Sequence, residues 1–358
     1  MRGLLKLLAL HSKVLRAHSL LPALAGSDRA LPPAIVQLEL THRCNLNCPM
    51  CYQSRPGGAA GELSAAEWKA LIDALPRWAM LTLTGGDPFM RADFAEIFAY
   101  ASERNRCNIL TNGELLDRHI QALAGRLPLI GISVDGLAAT HDAARRKPGL
   151  FAAIERNVRL LQEEKKRLGT SWPLVDIKTV ILPENLGELP EVFRFAASLG
   201  ADYWSLSLPK ISEFQFANRY TPDLGAVLGS RPVKTFLPGE GAARERLLSA
   251  VREIAGLEDG PVVRFYPYNM LSEKAVAAHL DNALRPEEFE PCRVPWSFAC
   301  VSPNGDVFPC LCYRAGNVRE TPFREIWNGP GYRKFRAGLS KRALNNCCLG
   351  CCYSVYKK

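Results

Sequence analysis

The sequence Thr41-His42-Arg43-Cys44-Asn45-Leu46-Asn47-Cys48-Pro49-Met50-Cys51-Tyr52 directly follows a short apolar run, Ile35–Leu40, that predicts a strand. Three cysteines within eight residues of one loop can wrap a single metal centre. Iron–sulfur clusters are held by cysteine thiolates, and a cubane has four irons, so three ligands leave one iron open to an exogenous ligand. Catalytic zinc sites also keep one position open. A zinc site is the alternative, although zinc ligand pairs usually repeat a two-residue spacing.

The surrounding sequence alternates between predicted strands and helices. The strands are predicted at 35–40, 80–84, 107–111, 129–134, 175–182 and 203–208, and the helices at 65–74, 92–103, 115–124, 151–168 and 189–198. Such alternation predicts parallel βαβ units. Six units in succession favour an α/β fold built as a partial (β/α)6 TIM-like barrel. Folds of this kind place their chemistry at the carboxyl ends of the strands.

Polar and glycine-rich motifs stand at those strand ends. The second strand ends in Gly85-Gly86-Asp87-Pro88, where the glycines would let a backbone approach a ligand closely. The third ends in Thr111-Asn112-Gly113, and the fourth carries Ser133 and ends in Asp135-Gly136. An Asp-Gly pair is also an ordinary turn, so each of these later motifs is ambiguous by itself.

The cysteine triplet resembles the signature of the radical S-adenosylmethionine (SAM) superfamily. The resemblance implies that Cys44, Cys48 and Cys51 hold a [4Fe–4S] cluster whose open iron chelates the amino and carboxylate groups of SAM. The reduced cluster of that family cleaves SAM to methionine and a 5′-deoxyadenosyl radical, which abstracts a substrate hydrogen. Gly85, Gly86, Asp87 and Pro88 resemble the family's GGEP motif, whose backbone binds the SAM amino group, with Asp87 replacing Glu. Ser133 and Asp135 are then candidates to face SAM or the substrate.

The C-terminal region is rich in cysteine. Eight of the twelve cysteines lie between Cys292 and Cys352, and Asn304-Gly305 predicts a hairpin turn. The C-x12-G-x4-C spacing from Cys292 to Cys310 resembles the SPASM/Twitch domain of radical SAM enzymes. Under that resemblance one auxiliary [4Fe–4S] cluster is bound by Cys292, Cys310, Cys348 and Cys351, and the short tail favours the one-cluster Twitch form.

Other readings of these cysteines stay open. The surplus cysteines are Cys300, Cys312, Cys347 and Cys352, of which Cys347 or Cys352 could replace a neighbouring ligand. A structural zinc ribbon is a further alternative, because cysteine spacing does not fix the metal.

The whole sequence also limits where the protein works. Met1–Leu21 begins like a signal peptide, but charged residues interrupt its apolar stretch and no clean cleavage site follows. No apolar run reaches the roughly 18 residues of a membrane span. We therefore expect a reducing, cytoplasmic setting, in which clustered thiols bind metal rather than form disulfides.

The domain organisation is predicted in four parts. They are an N-terminal amphipathic helix (1–30), the radical SAM barrel (31–210), a bridging region (211–290) and the auxiliary-cluster domain (291–358). The N-terminal helix either packs on the domain or lies on an anionic membrane surface. The net charge of +9 comes without a compact basic block, so no nucleic-acid partner is expected.

The expected activity is hydrogen abstraction from a peptide or a small molecule. The partners implied are that substrate and an electron donor such as flavodoxin or ferredoxin. A zinc or iron–sulfur binding protein without enzymatic activity is the alternative.

Overall fold

A computed structural model describes residues 26–51, 61–208, 222–230, 241–310, 313–339, 344–349 and 351–357. Within them one sheet of ten strands runs in the order β10-β9-β8-β1-β2-β3-β4-β5-β6-β7. The strands are β1 Ile35–Glu39, β2 Met80–Thr84, β3 Arg106–Thr111, β4 Leu129–Ser133, β5 Leu174–Val180, β6 Tyr203–Ser207, β7 Val262–Tyr266, β8 Phe298–Val301, β9 Asp306–Phe308 and β10 Gly316–Asn317.

The helices connect and cover these strands. They are α1 Ala65–Ala74, α2 Phe94–Arg104, α3 Ile120–Leu123, α4 Ala138–Arg145, α5 Leu150–Arg167, α6 Leu189–Ser198, α7 Leu224–Gly229, α8 Gly241–Ala255, α9 Glu273–Leu280, α10 Phe323–Trp327 and α11 Pro330–Gly338. A capping box begins α1, since Ser64 and Glu67 bond each other's backbone N–H groups. None of the described helices is both long enough and apolar enough to cross a membrane.

Strands β1 to β6 are parallel and adjacent in chain order, which confirms the predicted α/β fold with its six-unit partial barrel. One face of the sheet is covered by helices. Trp204 on β6 is fully buried, and its ring lies 5.8 Å from that of Phe193 on α6. Because side chains alternate along a strand, the neighbours of Trp204 face the concave interior of the barrel. This alternation separates an apolar layer from a polar interior.

The sheet extends beyond the six predicted strands. Strand β7 lies in the predicted bridging region and pairs in parallel with β6. Strand β8 pairs in parallel with β1 and forms the predicted hairpin with β9, so the sheet continues into the cysteine-rich region. These pairings join segments far apart in sequence. A short apolar run predicts a strand but does not indicate which strand it will pair with.

Within the six-unit barrel, two helical segments differ from the prediction. The predicted helix at 115–124 is a 3₁₀ turn, Leu116–Arg118, followed by the single turn of α3. Helix α4 is separated from β4 by four residues and was not predicted, since its eight residues include four alanines and no large apolar side chain to mark a buried face. Residues 1–25, which include most of the predicted N-terminal helix, lie outside the described residues. From residue 26 the chain contacts the C-terminal region, where Trp296 Nε1 donates to the Ser27 carbonyl (2.8 Å).

Candidate metal-cluster and cofactor site

The cysteine loop leaves the carboxyl end of β1, at the edge where the parallel strands end. The backbone N–H of Leu40 donates to the Thr84 carbonyl (2.7 Å), which carries the pairing of β1 and β2 one residue into the loop. Cys44 is exposed, Cys51 is half-buried and Cys48 is buried. A turn brings the last two together, because the Cys51 N–H donates to the Cys48 carbonyl (3.1 Å). The three thiols therefore share one short loop at the mouth of the barrel.

The glycine pair after β2 packs directly against this loop. The Gly86 N–H donates to the Thr41 carbonyl (2.7 Å), and the Asp87 N–H donates to the Arg43 carbonyl (2.9 Å). A Cβ atom at Gly85 would lie 2.4 Å from the Thr41 oxygen, and one at Gly86 would lie 2.3 Å from the Arg43 oxygen. Both distances are far below van der Waals contact with backbone that cannot rotate away. The glycines thus permit two backbones to meet.

The carboxylate of Asp87 is engaged inside the protein. Its Oδ1 accepts from the Phe89 N–H (3.0 Å), and its Oδ2 accepts from Thr111 Oγ1 (2.7 Å) and from the Asn112 N–H (2.8 Å). Burial raises the pKa of Asp87 to about 6, although these three hydrogen bonds oppose the shift. Asp87 therefore ties the end of β2 to the end of β3, and Pro88 begins a 3₁₀ turn, Pro88–Met90, after it.

The end of β3 contacts the first cysteine. The side-chain amide of Asn112 lies 3.8 Å from Cys44 Sγ and donates to Asn45 Oδ1 (2.8 Å). Asn45 in turn donates to the Glu114 carboxylate. The sequence motif Thr111-Asn112-Gly113 was noted at a strand end, but its amide contact with the thiol could not be read from the sequence.

The end of β4 contacts the buried cysteine through an arginine. Asp135 is fully buried, and its Oδ2 accepts from Arg145 Nε (2.5 Å) while its Oδ1 accepts from the Val180 N–H (2.8 Å). The Nη1 atom of Arg145 lies 3.8 Å from Cys48 Sγ. Burial opposes the charge of Arg145, but Asp135 and Cys48 outweigh it, so the pKa of Arg145 is raised. Asp135 is therefore linked to Cys48 through the guanidinium of Arg145.

Two further residues, which the sequence reasoning missed, fix the start of the cysteine loop. Glu62 Oε1 accepts from Thr41 Oγ1 (2.8 Å) and from the His42 N–H (2.7 Å). Arg91 is buried and donates to the Leu40 carbonyl (2.8 Å). No motif marks either residue, since an isolated Glu or Arg in a loop is usually a surface residue.

Beside the loop lies an open groove of about 660 Å³. Pro49 and Met50 form one wall, helix α4 another, and the Leu182–Glu184 segment after β5 the third. Ser133 is half-buried at the end of β4, next to Lys178 of β5 in the sheet register. The groove gives the cysteine loop access to solvent and room for a ligand.

The C-terminal cysteines meet around a second, mostly apolar cavity. All four predicted auxiliary ligands line it, as does Cys352; they are Cys292, Cys310, Cys348 and Cys351. The remaining wall is apolar and includes Phe298 and Phe335. Cys300 is buried within β8 instead. Cys312 and the side chain of Cys347 lie outside the described residues.

In the described ranges no three His, Cys, Asp or Glu side chains lie close enough together to hold a single metal ion.

Comparison with known proteins identifies both regions. The sequence profile of the radical SAM superfamily matches residues 38–196, and that of the SPASM iron–sulfur cluster-binding domain matches residues 292–352. An AdoMet-dependent heme synthase of Nitratidesulfovibrio vulgaris is 30% identical over 319 residues, which are 84% of this chain and 81% of the relative. A PqqA peptide cyclase of Gluconobacter oxydans is 29% identical over 322 residues, 85% of this chain and 79% of the relative.

The fold also matches solved structures. The Streptococcus suis protein SuiB bound to its precursor peptide SuiA superposes with a TM-score of 0.62 at 16% identity. The match covers 91% of this chain and 70% of SuiB. At this identity the likeness concerns the fold.

We predict that Gly86→Ala destabilises the cysteine loop. The new methyl group would collide with the Arg43 backbone and cost about 1–3 kcal/mol of unfolding free energy, with a parallel loss of bound iron. Gly187→Ala is the matched control, because no atom lies within 4 Å of its added Cβ, and its effect should stay within about 0.5 kcal/mol. Urea denaturation and iron content of the anaerobic protein measure both. Wild-type values for Gly86→Ala would contradict the packing.

We also predict a pH dependence that resides in Asp87. Its folded pKa of about 6 exceeds the unfolded value of 3.8, so its contribution to stability is present at low pH and is lost as pH rises through about 6. Asp87→Asn cannot titrate. The melting temperature of the wild type, relative to that of Asp87→Asn, should therefore fall between pH 5 and pH 7.5. A difference that stays flat over this interval would show that the three hydrogen bonds outweigh burial and hold the folded pKa at or below its ordinary value.

Proposed function

Because the chain belongs to the radical SAM superfamily, we propose that it cleaves SAM reductively and uses the product to abstract hydrogen from a peptide or a small molecule. The chain is a radical SAM enzyme with a SPASM domain. Its cofactors are a [4Fe–4S] cluster, SAM and auxiliary iron–sulfur clusters. Membership of this enzyme superfamily excludes the non-enzymatic zinc or iron–sulfur binding protein as an alternative. The finer assignments below are proposals.

The observation that carries the proposal is the arrangement of the cysteine loop. Three thiols share one loop at the carboxyl edge of the sheet, and the glycine pair of β2 holds that loop by two backbone hydrogen bonds. Thiolates are the ligands that iron–sulfur clusters require. Cys44, Cys48 and Cys51 would therefore hold the cluster, with one iron left for SAM. When bound, the cluster supplies the one-electron cleavage of a SAM carbon–sulfur bond.

The chain's own residues would adjust the charge around these sulfurs. Arg145 brings a permanent positive charge to within 3.8 Å of Cys48 Sγ, and the Asn112 amide approaches Cys44 Sγ at the same distance. Hydrogen bonds and positive charge near cluster sulfurs favour the reduced state. Asp135 holds the guanidinium in place and is a positioning residue.

SAM would lie next to the loop, where Gly85, Gly86, Asp87 and Pro88 end β2 and Ser133 ends β4. The groove walled by Pro49, Met50 and α4 adjoins the same loop. The carboxylate of Asp87 is occupied by three internal donors, so that motif would contribute backbone atoms to SAM and use its side chain to hold its shape.

The auxiliary cluster would fill the second cavity. Its cysteines and apolar wall suit a thiolate-bound cluster that excludes water, and Cys292, Cys310, Cys348 and Cys351 are the proposed ligands. Cys352 lines the same cavity and is the alternative fourth ligand. Such a cluster would accept an electron in an oxidation or help to position the substrate.

The remaining proposals concern setting and partners. Flavodoxin or ferredoxin suits the one-electron supply, and oxygen-labile clusters suit a reducing cytoplasm. The division into 1–30, 31–210, 211–290 and 291–358 stands as a functional proposal, although strands β7 and β8 join its parts in one sheet. A membrane contact of residues 1–30 stays a prediction.

We predict that Cys48→Ala abolishes 5′-deoxyadenosine formation, since a cluster ligand is lost. Cys310→Ala should keep uncoupled SAM cleavage and lose product, because it removes only an auxiliary ligand. Anaerobic reconstitution followed by chromatographic detection of 5′-deoxyadenosine and methionine measures both.

Cys107→Ala is the matched control, because this cysteine is buried within β3 and should leave SAM cleavage intact. Reductive SAM cleavage by Cys48→Ala at the wild-type rate would show that the triplet is not the site. Zinc content without a brown chromophore in the wild type would refute the whole proposal.

A separate prediction tests Arg145. Arg145→Met should lower the midpoint potential of the SAM cluster, because a buried positive charge beside Cys48 is lost. Asp135→Asn should shift the potential in the opposite direction, because it removes the buried negative charge paired with the guanidinium and leaves the arginine's positive charge. Potentiometric titration followed by electron paramagnetic resonance measures the shift. An unchanged potential in Arg145→Met would show that the guanidinium does not act on the cluster.

A further inference from the structure

Four side chains form a continuous row across the concave face of the barrel. Ser133 of β4 is opposite Lys178 of β5, Lys178 is opposite Ser205 of β6, and Ser205 is opposite Arg264 of β7. Neighbouring strands lie about 4.8 Å apart, so the row alternates hydroxyl and cation over three strand spacings. It begins at Ser133, two residues before the aspartate that anchors Arg145.

The row carries an excess of positive charge. Asp176, two residues earlier on the same face of β5, is buried, and its Oδ2 lies 3.0 Å from Lys178 Nζ and 3.7 Å from Arg264 Nη1. One carboxylate therefore faces two cations. The side chains of Lys178 and Arg264 remain 32% and 31% exposed. The uncompensated charge thus lies at the accessible part of the barrel interior.

The local packing leaves this charge available to a ligand. A Cβ at Gly131 would lie 2.6 Å from Lys178 Cε. The glycine therefore leaves room for the lysine side chain. Between the two cations, Ser205 Oγ is buried and has no hydrogen-bond partner among the described residues. A buried hydroxyl without a partner is costly unless a ligand or water satisfies it.

Aromatic rings extend the row toward the auxiliary cavity. The guanidinium of Arg264 stacks 3.4 Å from the Tyr203 ring, and the rings of Tyr266 and Tyr268 lie 4.7 Å apart. The Tyr268 N–H donates to the Ser354 carbonyl (3.0 Å), two residues after Cys352. A molecule on the row would therefore lie between the strand ends of the cysteine loop and the tail with the auxiliary cysteines.

We propose that Lys178 and Arg264, with the Ser205 hydroxyl, bind a carboxylate group of the substrate. The proposal rests on the proposed function, since it assigns the barrel interior to the substrate. One net positive charge matches one carboxylate, whereas a phosphate dianion would be left undercompensated. Two sources supply this chemistry beside a flat aromatic wall, the propionate of a porphyrin and an acidic side chain of a peptide.

The test compares free acids with their esters. Protoporphyrin IX and its dimethyl ester are one pair of probes, and a glutamate-containing peptide with its methyl ester is the other. Fluorescence titration of the reconstituted holoenzyme measures binding. We expect one free acid to bind at least about tenfold more tightly than its ester, as for a charge-assisted pair, and the preferred pair identifies the source. Equal affinity of acid and ester in both pairs would overturn the proposal.

Variants then locate the charge. Arg264→Gln leaves the Lys178–Asp176 pair neutral, so it should fold and lose the preference for the acid, while Arg264→Lys should restore most of it. Arg252→Gln on the exposed face of α8 is the control and should keep the preference. A full acid preference in Arg264→Gln would overturn the assignment.

SAM also carries a carboxylate, and SAM binding separates the two occupants. An affinity of Arg264→Gln for SAM within about twofold of wild type is expected, because the row is assigned to the substrate. Weakened SAM binding would assign the row to SAM and overturn the proposal. Failure of the wild type to cleave SAM would refute the proposed function instead, while the acid preference could still be measured.

Discussion

The site depends on one backbone contact, in which the residues after β2 donate to the carbonyls of the cysteine loop. The hydrogen bonds from Gly86 and Asp87 to Thr41 and Arg43 fix the loop from one side. Glu62 and Arg91 fix its start from the other. The contact is possible only because both glycines lack a Cβ where a backbone oxygen lies within 2.4 Å. The positions of the three thiols follow from this packing.

The ends of the next two strands each add a side-chain contact to the cysteine loop. Strand β3 supplies the amide beside Cys44, and β4 supplies the aspartate that anchors Arg145 beside Cys48. Because parallel strands end at one edge, residues about a hundred positions apart meet at a single loop. The electrostatics of the site therefore depend on the strand order of the whole sheet, and local sequence alone does not determine it.

Much of this arrangement could be predicted from the sequence, and the reasons are local. The spacing of Cys44, Cys48 and Cys51 indicates a cluster loop, and alternating strands and helices indicate the barrel. The predicted helix at 65–74 matches α1, which Ser64 and Glu67 cap. The parallel pairing of β8 with β1 could not be predicted. It joins segments some 260 residues apart, and their apolar patterns do not indicate which strand each will pair with.

The site residues divide in the same way. The sequence indicates that Asp87 and Asp135 matter, but not that both carboxylates are occupied by internal donors. The charged row of β5 and β7 was missed because each cation looks like an ordinary surface residue until the sheet register places Lys178 and Arg264 around one serine. A role that depends on strand register can be assigned to a residue only once the fold is known.

We propose that the cysteine triplet holds a cluster with one iron open to SAM. Electron–nuclear double resonance can test this assignment on the reduced enzyme, frozen with SAM labelled with ¹⁵N in its amino group and ¹⁷O in its carboxylate. We expect both labels to couple to the paramagnetic cluster, because both groups bind the open iron. Absence of both couplings, with SAM shown to be bound, would contradict it.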